Sequence, residues 1–98
     1  MNNESELIQV LNKYPEMDLG QPMTFGDIRQ RLQVFINELI ENDFPKLTSI
    51  LYRVDIDEVN LKSLLNKRAG EDAASIIAEL IMERELQKIE TRKQYRNG

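Results

Sequence analysis

From Phe25 to Asn42 the apolar residues Phe25, Ile28, Leu32, Phe35, Ile36, Leu39 and Ile40 recur every three or four positions. That period is one face of an α-helix about five turns long, and it cannot be laid out as a strand. Its start is signalled as well. In "TFGD", Thr24 can cap the first turn while the Asp27 side chain reaches back to the Thr24 amide, the capping-box arrangement. Asp27 and Arg31, four apart, add a surface pair.

The rest of the chain follows the same grammar. Leu7, Ile8, Val10 and Leu11 mark a short helix over about Ser5 to Lys13, ended by a loop that Pro15, Gly20 and Pro22 punctuate. In "ENDFPKL", Asp43 can cap a new helix with Pro45 in its first turn, where a missing N–H costs nothing. Phe44, Leu47, Ile50, Leu51 and Val54 form its apolar stripe. A connection of two or three residues between these helices favours sharply angled or antiparallel neighbours. No stretch alternates long enough to make a strand, and no repeat or low-complexity tract is present.

The stretch "LYRVDIDEVNLKSLL" places Asp55, Asp57 and Glu58 within four residues. As a calcium loop starting at Asp55 it fails at its fifth, sixth and twelfth positions, Val59, Asn60 and Asn66. As a helix-turn-helix it would present three carboxylates to DNA phosphates at the recognition-helix N-terminus, which is repulsive. As a helix start it uses every residue. Asp55 caps, Glu58 closes the box, Asp57 meets the positive dipole end, and Glu58 pairs with Lys62. Ile56, Val59, Leu64 and Leu65 supply the inward face, and Gly70 is placed to end the helix.

From about Glu71 to Tyr95 no breaker occurs, so the last helix runs to near seven turns. Ala73, Ile76, Ile77, Leu80 and Ile81 form one apolar stripe, and Met82, Leu86 and Ile89 point to nearly the opposite side. Either short helices clasp this helix on both sides or its second half meets another chain. The second half projects beyond what a small bundle can easily cover. The expected interaction surface is therefore Met82, Leu86 and Ile89, in a homodimer or with another protein. Glu79 and Glu83 read as solvated rather than as a metal pair, since the helical di-metal pattern needs a histidine that is missing.

The expected fold is thus an all-α compact bundle of about five helices with a long C-terminal helix, in one domain. Residues 24–95 form its helical core, and residues 1–23 are a loosely ordered N-terminal segment. Leu32, Phe35, Leu39, Leu51, Leu64, Ile77 and Leu80 are expected among its most buried residues. At 98 residues the chain can bury roughly two thirds of its unfolded surface, enough for one core.

Composition narrows the chemistry. Histidine and cysteine are both absent. That removes the commonest general base, soft-metal ligands, thiolate nucleophiles and disulfides. No enzyme activity, cofactor or metal is expected, and no cluster of acids points to a magnesium site. A net charge of −4 disfavours nucleic acid and anionic membranes. A basic end does exist: Lys88, Arg92, Lys93 and Arg96 form a basic patch that complements a helix C-terminus and, as an alternative, would serve a nucleic-acid-associated regulator. No apolar run is long enough to span a bilayer, and the N-terminus is unlike a secretory signal. A cytoplasmic setting is expected.

The segments Leu51–Val54 and Ala78–Arg92, within "LYRVDIDEVNLKSLL" and "AELIMERELQKIETRKQYR", resemble small all-helical bacterial proteins of unknown function. The resemblance implies a helical fold and carries over no activity and no site residue.

Overall fold

The computed structural model describes residues 3–14, 17, 19–21 and 24–97, the side chains of 96 and 97 excepted. Pro15 and Pro22, expected to punctuate the first loop, lie outside the described residues. Five helices follow one another: α1 (Asn3–Leu11), α2 (Phe25–Asn42), α3 (Phe44–Val54), α4 (Glu58–Lys67) and α5 (Ala73–Asn97). Among the described residues there is no strand, and no helix is long and apolar enough to cross a membrane.

The spine is α5. Its 25 residues correspond to about 37 Å of helix, close to the molecule's longest dimension of 40 Å. It touches each of the other four helices, and α2 packs on it most extensively. Because neighbours lie on several sides, the first half of α5 is buried around most of its circumference. From Ala74 to Met82 every residue is buried except Glu79, which is half-buried. Its sequence accordingly carries two apolar stripes in place of one.

The α2 start is as its sequence specifies. The Asp27 amide donates to Thr24 Oγ1 at 3.1 Å, and the Thr24 amide donates to Asp27 Oδ2 at 3.3 Å. Ile28, Leu32, Ile36 and Leu39 then face the core. The single residue Asp43 ends α2 and caps α3, its Oδ1 accepting from the Lys46 amide at 3.2 Å.

Within the N-terminal segment expected to be loosely ordered, described residues contribute to the core. Leu7 and Leu11 of α1 have no exposed surface, and Met17 and Leu19 of the following connection are also buried. A short helix is poor in propensity alone; packing against α5 supplies what the sequence lacks.

The turn between α3 and α4 also differs from expectation. Asp57, not Asp55, caps α4, its Oδ1 accepting from the Val59 amide at 3.1 Å. Asp55 instead lies in the left-handed region at φ 70° and terminates α3. The Asp55 amide bonds to the Tyr52 carbonyl at 3.2 Å and the Ile56 amide to the Leu51 carbonyl at 3.1 Å. This is a Schellman closure, with aspartate where glycine is usual. The acids are so close in sequence that one ends a helix and the other begins the next.

Among the expected core residues, Leu32, Leu39, Ile77 and Leu80 are buried, whereas Phe35, Leu51 and Leu64 are only half-buried. α4 buries no residue fully. Gly70 lies in the turn after α4 without a positive φ, so it does not act as a left-handed terminator.

Candidate interaction surface

The face formed by Met82, Leu86 and Ile89 is not free. Met82 is 8% exposed and Ile89 1%, both within the core cluster, and Leu86 is half-buried against it. α1 is the cover. It runs antiparallel to the second half of α5, with Asn3 Nδ2 donating to Glu90 Oε1 at 3.1 Å. Lys93 Nζ donates to Asn3 Oδ1 at 2.7 Å and pairs with Glu6 at 3.5 Å. The expected open face is thus mostly covered, and no local feature of the sequence shows this, because α1 and this part of α5 lie more than 70 residues apart. What stays open is a depression of about 200 Å³ lined by Phe25, Met82 and Leu86, with Arg29, Glu79 and Glu83 at its edge.

The basic end is likewise partly committed to the fold. Lys88 Nζ donates to Glu85 Oε1 at 3.1 Å, and Lys93 serves α1 as above. Arg92 is exposed, and the Arg96 side chain lies outside the described residues. Lys88, Arg92 and Lys93 are therefore not gathered into one open patch.

Glu85 is the least predictable member of this region. It is a carboxylate with 2% exposure, and the Tyr14 hydroxyl donates to its Oε1 at 2.7 Å. Burial, and then the adjacent Glu85, hold the Tyr14 proton on well above the usual tyrosine range. The Arg53 guanidinium stands over the Tyr14 ring, 5.4 Å from its centre. The cluster ties the α1–α2 connection to α5 and to the end of α3. Sequence offered one faint signal, the three-residue spacing of Glu85 and Lys88; nothing local joins Tyr14 to them across 71 positions.

A second ionic group joins α2, the α4–α5 turn and α5. Arg68 binds Glu71 through two contacts of 2.6 Å and Glu79 at 2.8 Å, while Arg29 pairs with Glu79 at 3.2 Å and donates to Ser75 Oγ at 2.7 Å. Hydrogen bonds from Arg68 lower the pKa of both Glu71 and Glu79. Glu79 is thus a structural bridge between two arginines, correcting its reading as a solvated residue; Glu83 is exposed as expected. Among the described residues no three acidic side chains converge to hold a metal ion.

Among the described residues, surfaces on α2 and on α3 also stand open. An open groove of about 1010 Å³ follows α2, lined by Leu19, Val34, Phe35 and Leu39. At its rim Gly20 adopts φ +67°, and a Cβ there would stand 2.9 Å from Arg31 Nη1, which donates to the Leu19 carbonyl. Its charged lining mixes Asp27, Glu38 and Asp43 with Arg31 and Lys46, so it selects no one chemistry. The other surface is the outer side of α3. There Phe44 is 60% and Tyr52 87% exposed, with Thr48 exposed between them. Phe44 was expected on the inward stripe, but Leu47, Ile50 and Val54 occupy that side.

No protein-family model matches the chain, and neither a curated protein nor a solved structure matches it.

Proposed function

We propose that the chain is a non-catalytic protein–protein interaction module that presents the outer side of α3. The observation that supports this reading is the contrast between its charged and its apolar side chains. Arg29, Arg68, Glu79, Glu85 and Lys88 are tied into contacts between or within helices, where they hold the fold together. Two large aromatics on α3, Phe44 and Tyr52, do the reverse and stand largely in water. α3 also carries no acidic residue in a chain of net charge −4, while Lys46 and Arg53 lie on it. Exposed aromatics are among the side chains enriched at the centres of protein interfaces.

Self-association through Met82, Leu86 and Ile89 would require α1 to leave its site, and α3 needs no such opening. The nucleic-acid alternative draws less support, because Lys88 and Lys93 already serve Glu85 and Glu6. Binding to mixed DNA and RNA that weakens with salt would restore it.

The test is quantitative capture from the cells that make the protein. Tagged parent and a Phe44→Ser, Tyr52→Ser double variant are compared for retained proteins, including untagged copies of the chain itself. Loss of the parent's partners from the variant is the expected result. An identical retained set would remove α3 from consideration.

A further inference from the structure

The open depression beside α1 has an apolar floor and an acidic rim. We propose that it docks a basic amphipathic helix of a partner protein, one whose leucine-sized anchor is flanked one turn away on each side by lysine or arginine. The proposal goes beyond the α3 reading and concerns a different surface.

Phe25, Met82 and Leu86 make the floor of the depression, whose volume of about 200 Å³ suits one large apolar side chain. Phe25 is 38% exposed, so the floor is reached without moving α1. On α5, Glu83, Leu86 and Glu90 follow one another at intervals of three and four. They therefore lie within about 60° of one another round the helix. One acid stands a turn before the apolar anchor point and another a turn after it. A third, Glu4, reaches the same edge from α1, its Oε2 accepting from the Phe25 amide at 2.9 Å.

These carboxylates differ from others nearby in having no cation. Glu90 accepts from the uncharged Asn3 side chain, Glu4 from a backbone amide, and Glu83 is exposed without an ion pair among the described residues. The cations of the adjoining turns are already engaged: Arg29, Arg84, Lys88 and Lys93 pair with Glu79, Asp55, Glu85 and Glu6. Arg92 lies about 120° round α5 from Leu86. The apolar floor alone selects no partner; the rim does. A basic segment supplies the missing countercharge, an acidic one is repelled, and a second copy of this chain brings a net charge of −4 to the contact. Spacing sets the shape of the occupant. Glu83 and Glu90 are about 10 Å apart along α5, the interval between cations seven apart on a facing helix with the anchor between them.

A fluorescein-labelled, alanine-rich helical peptide with one Lys-x-x-Leu-x-x-x-Lys motif is titrated with the full chain and followed by anisotropy. A twin peptide carries glutamate for both lysines. At low salt the lysine peptide should bind roughly tenfold tighter than its twin, and added salt should shrink that margin. Serine for the peptide's leucine should weaken binding by roughly another tenfold. Glu83→Gln with Glu90→Gln should remove most of the charge margin. Glu38→Gln with Glu41→Gln, exposed acids of α2, makes the same change in net charge and should leave the margin intact. Equal binding of the twin peptides, indifference to the peptide's leucine, or the same loss in both glutamine variants overturns the proposal. The Phe44→Ser, Tyr52→Ser variant should bind the peptide as the parent does. Loss of binding in that variant moves the peptide to α3, which ends this proposal and leaves the α3 reading standing.

Discussion

α4 and α5 are both helices with several apolar residues, yet one has no fully buried residue and the other is buried on nearly every side of its first three turns. Val59 of α4 is 76% exposed and its Leu61, Leu64 and Leu65 are half-buried, whereas Ile76, Ile81 and Ile89 of α5 are at most 1% exposed. Composition does not separate the two. Position does: α5 is the element that every other helix needs, and α4 leans on it from one side only. Burial is a property of the neighbours a helix acquires, so the same leucine is worth different amounts in the two places.

Truncation should expose that difference most strongly. Ile81→Ala is expected to cost about 2–5 kcal/mol, because Ile81 has no exposed surface and belongs to the core cluster. Urea denaturation followed by circular dichroism measures it. A loss below that of Leu64→Ala would reverse the ranking of the two helices.

Next in size is the polar anchor of α5. Tyr14→Phe removes the hydroxyl that bonds to buried Glu85 and should cost about 1–3 kcal/mol. The tyrosine pKa is raised in the folded state, so the unfolded chain loses its proton first as pH rises. Tyr14 therefore contributes stability that is full below the ordinary tyrosine pKa of about 10 and declines above it. Parent melting temperature should fall in that alkaline range, and the phenylalanine variant should fall less steeply. Parallel curves would mean that Tyr14 is not the group responsible.

Leu64→Ala comes third, at roughly 1.5 kcal/mol or less, since a half-buried leucine leaves less area to lose. Smallest are the caps of α4 and α3. Asp57→Ala should cost about 1 kcal/mol, with or without calcium. Asp55→Gly should change stability by less than about 1 kcal/mol, because relief of the left-handed backbone offsets the loss of the 3.0 Å contact from Arg84. If Asp55→Gly proves costlier than Asp57→Ala, the assignment of the two aspartates must be exchanged.

Sequence is most legible where the information is local. The α2 boundaries, the Thr24 box and the Asp43 cap each depend on residues within four positions, and each stands as its sequence indicates. The Asp55–Asp57 assignment was missed by two residues because both are good caps, and only the turn's closing geometry chooses between them. Long-range facts were not legible. The cover of α1 over Met82 and Ile89 depends on segments more than 70 residues apart, and a lone tyrosine in a loop gives no sign that it will meet a buried glutamate. The outward position of Phe44 is a subtler case. The helical stripe that includes it is about 100° wide or more, and three smaller residues fill the space actually available against α2 and α5.

The pairing of α1 with α5 also sets an order of events during synthesis. Asn3 meets Lys93 across 90 positions, so α1 is synthesised well before the part of α5 on which it docks. Until then Leu7 and Leu11 have no groove to enter, while α2 and α3 can already pack on one another. Closing this long loop thus waits until that part of α5 is made, and α2 and α3 packed on it limit the search to a single short helix.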